Sequence, residues 1–144
     1  MTSAIAPLDP TPEVKALLAA QQLPTDDLDA AGHVLLFGCI EGTRLRGVVG
    51  LERHGHDGLL RSLAVDPRWR GSGLGAALLA HVERYAAAQG IDTLYLLTTT
   101  AAGYFERHGY RPVPRATAPA AIAATSQFSG LCPGSAAFMA RTID

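Results

Sequence analysis

Cysteine is scarce in this sequence, and the two that occur, Cys39 and Cys132, lie far apart. They make neither a C-x-x-C redox unit nor a zinc ligand set, so reduced thiols packed as small apolar side chains are the simplest reading. The histidines supply no metal centre either. His54 and His56 flank Gly55 in what reads as a turn, the other three are scattered, and a metal needs converging ligands. Long apolar runs are missing, since every hydrophobic stretch is broken by charge or glycine well short of the ~20 residues of a membrane span. The start, Met1-Thr2-Ser3-Ala4, has no basic segment followed by an apolar core, which leads to the expectation of a cytoplasmic protein. Charge of one sign is missing as well: 12 basic residues face 13 acidic ones, for a formal net charge of -1. That balance lacks the basic footprint of a nucleic-acid partner.

What is present is a core. With 144 residues of which 48% are hydrophobic, the chain reads as a single domain over 1–144. Thr11-Pro12-Glu13 followed by Val14, Leu17 and Leu18 combines an N-cap, a proline in the first turn and an apolar stripe, predicting a helix near 12–22. Residues 3–8 give a weaker strand signal. Three β-rich runs follow, His33 to Ile40, Leu45 to Arg53 and Leu59 to Val65, separated by turn residues and read as an antiparallel meander. Leu74, Leu78, Leu79, Val82 and Tyr85 recur at helical spacing until Gly90. A strand over 93–98, a short helix over 101–108 ended by Gly109 and a strand over 110–113 come next. The alanine-rich tail predicts a helix from Thr117 to Phe128, then a closing strand from Gly134 to Ala140. The resulting class is α/β (α+β), a mixed central sheet whose N-terminal part is an antiparallel meander, flanked by helices.

The meander and the long helix meet at Arg68-Trp69-Arg70-Gly71-Ser72-Gly73-Leu74-Gly75. Glycines let the backbone turn tightly and approach an anion, and the first N–H groups of a helix have no partners inside it. Such a turn suits a pyrophosphate. A P-loop would require Lys and then Ser or Thr after the last glycine, where Ala76 and Ala77 stand. A G-x-G-x-x-G dinucleotide fingerprint has a different spacing.

The pattern Arg70-x-x-Gly73-x-Gly75 resembles the acyl-coenzyme A motif of the GCN5-related N-acetyltransferase (GNAT) superfamily, and the element order resembles its fold over nearly the whole chain. Within it, Leu94-Tyr95-Leu96-Leu97-Thr98-Thr99-Thr100-Ala101 with Tyr104-Phe105-Glu106-Arg107-His108-Gly109-Tyr110 is similar to the acetyltransferase part of N-acetylglutamate synthases. The tail, Pro119 to Ile122 with Thr125, Phe128, Leu131-Cys132-Pro133, Ser135-Ala136 and Met139, is similar to small acetyltransferases of arsenic-resistance operons. The resemblance implies acetyl-CoA as co-substrate. The pantetheine arm would lie along Leu63, Ala64 and Val65, and the pyrophosphate in the turn of Arg70, Gly71, Ser72, Gly73, Leu74, Gly75 and Ala76. Thr98 and Phe105 would also face the coenzyme, Thr98 where many relatives have asparagine. Many members carry a tyrosine general acid four residues before the helix-ending glycine. Here that residue is Phe105. Tyr104 is rotated about 100° around the helix and does not inherit the position, and a thiol of pKa about 8.5 leaves acceptably as a thiolate.

Acetyl transfer to an amine asks for a neutral nitrogen and a stabilised oxyanion. Backbone N–H groups near Leu63 to Val65, with that of Val65 as the catalytic candidate, are the natural oxyanion donors. Glu52, near the end of the preceding strand, is the candidate base, directly or through water, or else a solvated carboxylate. Arg61 could receive a substrate carboxylate through two hydrogen bonds, pair with Glu52, or point to solvent. Thr99 could line the substrate end or, with its neighbours, cap the next helix. Cys132 lies in the arsenic-related segment, where a soft metalloid would want several thiolates. The expected reaction is direct acetyl transfer in a ternary complex to a small amine, an amino acid or an amino-acid-like toxin containing phosphorus or arsenic. The alternatives are acetylation of glutamate itself, or a non-catalytic sensor of acetyl-CoA or a metalloid. The apolar final strand could support a homodimer.

Overall fold

The computed structural model describes residues 5–25, 28, 34–125, 128–129 and 136–143. In chain order the elements are β1 (Ile5–Leu8), α1 (Pro12–Ala20), β2 (Leu35–Glu41), β3 (Arg44–His54), β4 (Asp57–Val65), α2 (Leu74–Ala88), β5 (Thr93–Thr98), α3 (Ala102–Arg107), β6 (Arg111–Pro112), α4 (Ala120–Ala123) and β7 (Ala137–Thr142). They build one seven-stranded sheet of order β1-β2-β3-β4-β5-β7-β6. Neighbours are antiparallel except β4 and β5.

Side-chain alternation assigns the two faces. Leu94 and Leu96 of β5 join Leu60, Val49 and Leu51 beneath Leu78, Leu79, Val82 and Ala86 of α2. Their neighbours Tyr95 and Leu97 pack with Leu59, Phe138 and Ile122 of α4 on the opposite face. This is the period of two that a strand covered on both sides requires. Val14 and Leu18 of α1 close over Leu36, Leu45, Val48 and Ala64.

Two irregularities shape the functional end of the sheet. Along β3 and β4, Val48 faces Ala64 while Gly50 faces Arg61, so Val49 opposes both Ser62 and Leu63. The extra residue is a β-bulge, and Ser62 adopts a φ of 59° to make it. Secondly, β4 and β5 pair only from Asp57↔Thr93 to Leu59↔Tyr95. Beyond that the two strands part, and a notch opens in the middle of the sheet.

Several boundaries differ from expectation. The first helix stops at Ala20 because Gln21 caps it and Gln22 turns to a φ of 61°. Among the described residues the α-helix of the alanine-rich tail runs only over Ala120–Ala123, with a π-helical turn at 128–129. Thr125 donates its hydroxyl hydrogen bond to the Ile122 carbonyl, and its oxygen accepts from Phe128 N–H. Such local side-chain bonds compete with helix propagation. The closing strand runs from Ala137 to Thr142 rather than from Gly134 to Ala140; Gly134 lies outside the described residues, as do His33, Leu131, Cys132, Pro133 and Ser135. Cys39 is a buried free thiol in β2.

Candidate active site

The notch between β4 and β5 opens into a cavity of about 870 Å³, walled by residues 60–65, 96–101, the glycine turn and α3. The turn begins where Asp66 caps a single 3-10 turn, Pro67–Trp69, by accepting from the Arg68 N–H at 2.9 Å. Arg46, ion-paired with Glu41, lays its guanidinium 3.5 Å from the Trp69 ring centre and fixes the turn's outer side. Gly71 and Gly73 have φ of 81° and 85°, the left-handed region that other residues enter at a cost of about 1–2 kcal/mol. A β-carbon at either would touch nothing within 4 Å, so conformation rather than space demands glycine there. Gly73 is the N-cap of α2 and has no side chain to cap it. The N–H groups of Gly75 and Ala76 have no helical carbonyl behind them, and an anion resting on this turn would answer them.

Of the residues expected to hold coenzyme, Leu63, Ala64, Val65, Arg70, Gly71, Gly73, Leu74, Gly75, Ala76, Thr98 and Phe105 all line this cavity. Ser72 does not. Its N–H and hydroxyl both bond to the Trp69 carbonyl, and its oxygen accepts weakly from the Leu74 N–H, so it shapes the turn from outside. Thr98 lines the cavity while its oxygen accepts from the Ala101 N–H at 3.0 Å, combining the two roles that sequence left open. Phe105 is buried in the core beneath α2. Thr99 lies on the rim, exposed. The cavity wall also includes Gln21, whose amide donates to the Val65 carbonyl at 2.8 Å.

Glu52 is not the open strand-end carboxylate that the sequence suggested. It is fully buried, with its Oε2 2.8 Å from Arg61 Nη1 and its Oε1 3.2 Å from His54 Nε2. The side chain is absent from the cavity wall, whereas Arg61 is part of it. Arg61 also donates from Nε to Ser62 Oγ at 3.1 Å. Gly50 makes the room, since a β-carbon there would lie 3.2 Å from Arg61 Cγ. Of the two alternatives for Arg61 apart from substrate, pairing with Glu52 is the one observed.

Residues 22–24, Trp69, Tyr104, Arg107 and His108 line the cavity too and were not anticipated from sequence. For α3 the helical period was a usable signal: Tyr104, Arg107 and His108 stand at i, i+3 and i+4 and so share a face, with the Tyr104 and His108 rings 4.6 Å apart. Among the described residues the wall carries Arg61, Arg70, Arg107 and His108 but no Asp or Glu, and no group of three or more potential metal ligands occurs.

Comparison with known proteins gives the same direction. The amino-acid acetyltransferase of Ectopseudomonas mendocina (strain ymp) is 46% identical over 66 residues, 46% of this chain, and that of Pseudomonas fluorescens (strain Pf0-1) is 44% identical over 66 residues. The match spans only 15% of the length of either relative. N-acetylglutamate synthase from Neisseria gonorrhoeae, solved with coenzyme A and N-acetyl-glutamate, superposes with a TM-score of 0.79 at 18% identity, covering 100% of this chain and 36% of that one. A GNAT-family acetyltransferase from Staphylococcus aureus Mu50 superposes with a TM-score of 0.77 at 21% identity, over 98% of this chain and 100% of the other. These two likenesses are of fold. The family model of the acetyltransferase (GNAT) domain matches residues 32–112, more than half the sequence, and with the split sheet and glycine turn in place the chain belongs to the GNAT acetyltransferase family.

Proposed function

We propose that this chain transfers the acetyl group of acetyl-CoA to the amine of a small amino acid or amino-acid-like molecule. Acetyl-CoA, when bound, supplies a thioester carbonyl open to attack by an amine. The protein's part begins with the turn at 70–76, whose free amides and positive helix end suit the diphosphate. The edge of β4 that β5 leaves open, residues 63–65, offers the pantetheine arm a strand-like partner beside the Gln21–Val65 contact, and its N–H groups near Val65 are the oxyanion donors in this reading. With Phe105 where many relatives have tyrosine, the departing sulfur leaves as thiolate.

The observation that carries the acceptor class is the sign of charge in the cavity. Apart from Arg70, which belongs to the coenzyme turn, the wall carries Arg61 and Arg107 with no carboxylate among the described lining residues, which favours an acceptor bearing its own negative charge over a polyamine or an aminoglycoside. Arg61 is the residue proposed to meet that charge. Glu52, held against it, then orients the guanidinium instead of taking the amine's proton itself. Sequence likeness to amino-acid acetyltransferases supports an amino-acid acceptor, glutamate is one member of that class to test, and the resemblance read in the tail sequence adds phosphinic and arsenic analogues as others.

The test is thiol release from acetyl-CoA over a panel of glutamate, phosphinic and arsenical amino acids, polyamines and aminoglycosides. Turnover is expected only with the carboxylate- or phosphinate-bearing amines. Preferred turnover of polyamines would overturn the acceptor assignment, and coenzyme binding without turnover on any amine would favour a sensor.

A further inference from the structure

One polar atom in the cavity wall is left over. The Tyr104 hydroxyl is buried and has no hydrogen-bond partner in the structure, a costly arrangement unless something else answers it. Its ring is fixed by edge contact with Phe105 at 5.4 Å and by His108 at 4.6 Å. Its location is set by a neighbour: a β-carbon on Gly75 would lie 2.9 Å from Tyr104 Oη and 3.7 Å from Val65 Cγ2. Gly75 thus differs from Gly71 and Gly73. No positive φ requires it; a β-carbon there would crowd the phenol oxygen, which would have to shift. The hydroxyl therefore lies beside the first turn of α2, at Gly75.

We propose that Tyr104 is a coenzyme-positioning residue whose hydroxyl donates a hydrogen bond to a diphosphate oxygen seated on the amides of Gly75 and Ala76. This rests on the coenzyme reading of the cavity. Burial raises the phenol's pKa, opposed by the Arg107 charge, so the group is a neutral donor at working pH and does not repel the phosphates. The one-residue displacement of the aromatic hydroxyl, from the position of Phe105 to that of Tyr104, converts a proton-donor position into an anchor for the coenzyme's middle.

Calorimetric titration of coenzyme A into the wild type and Tyr104→Phe tests this without any acceptor. The expected result is a Kd raised about ten-fold, the loss of one charge-assisted hydrogen bond. In steady state KM for acetyl-CoA should rise in parallel, with kcat within about two-fold of wild type and the alkaline limb of its pH profile unmoved. In competition, the penalty should follow ADP, which carries the diphosphate, and not pantetheine. Equal Kd values for the two proteins, a penalty that follows pantetheine, or a fall in kcat with Kd intact would each overturn the proposal. Failure of the wild type to bind coenzyme A would overturn the cavity reading itself. Gly75→Ala supplies a second route: it should weaken coenzyme binding in the wild type and add little to Tyr104→Phe, whereas full additivity would count against the shared site.

Discussion

At the scale of single residues, the Glu52–Arg61 pair carries the most consequence. Both side chains are almost fully buried, 0% and 1% exposed, so removing one leaves the other's charge in the interior without its 2.8 Å ionic partner. Such a loss costs about 3–5 kcal/mol, while replacing both partners by apolar residues is often near neutral. Arg61→Met should therefore lower unfolding stability by roughly that amount, and Glu52→Met with Arg61→Met should recover most of it, read by urea denaturation. Activity separates structure from substrate binding. If Arg61 meets the acceptor's negative charge, the double variant folds but keeps a high KM for the acceptor with an ordinary KM for acetyl-CoA. A stable double variant with an ordinary acceptor KM would remove Arg61 from the substrate site. Sequence could offer Glu52 and Arg61 as partners, because the registers of β3 and β4 bring them within reach, yet it could not show that the pair is sealed. That depends on Leu59, Phe138 and Ile122 covering the same face, contacts assembled from distant parts of the chain.

Among the elements, α2 shows most clearly which features local pattern encodes. Its start is written in Gly71 and Gly73, whose positive φ few other residues tolerate, and its buried face in Leu78, Leu79, Val82 and Ala86 at helical spacing. In the tail, alanine content is a local propensity that predicts a longer helix, and Thr125 overrides it with its own hydrogen bonds. For α3 the sequence located the helix but not the direction of the Tyr104 hydroxyl, since six residues leave rotation to be settled by packing against Gly75. On α2 itself, the half-buried His81 lies 5.1 Å from the Phe37 ring. Desolvation first, and the nearby Arg84 charge second, lower its pKa from the ordinary 6.5. The unfolded chain then binds the proton more readily than the native one, so this contribution to stability is fully present above pH 6.5 and is lost as pH falls through the lowered native value. Denaturation midpoints at about pH 7.5 and about pH 5.5 should differ more for the wild type than for His81→Gln. An identical pH dependence in both would show that His81 is not the responsible group.

Over the whole molecule, the sheet consists of two parts joined where β4 and β5 pair at Asp57, Gly58 and Leu59. Beyond those residues the parts are bridged by the core under α2, where Val49 and Leu60 from one part meet Leu94, Leu96 and Met139 from the other, and on the opposite face by Leu59 with Phe138 and Ile122. A ligand in the notch therefore touches both parts at once, on β4 and the glycine turn on one side and on 96–101 and α3 on the other. Binding of this kind favours the folded state alone, because the unfolded chain has no notch. At a free concentration one hundred times Kd the gain is about 2.7 kcal/mol, and for a chain of this size each kcal/mol raises Tm by about 3 °C. Coenzyme A should thus raise the melting midpoint by about 8 °C, and hydrogen exchange should slow at the β4 amides of residues 63–65 and at those opening α2. Protection confined to the glycine turn, with the β4 edge exchanging as in the free protein, would mean that the coenzyme sits on the helix end without entering the notch. The strand-like pairing proposed for the pantetheine arm would then fail even with the diphosphate bound.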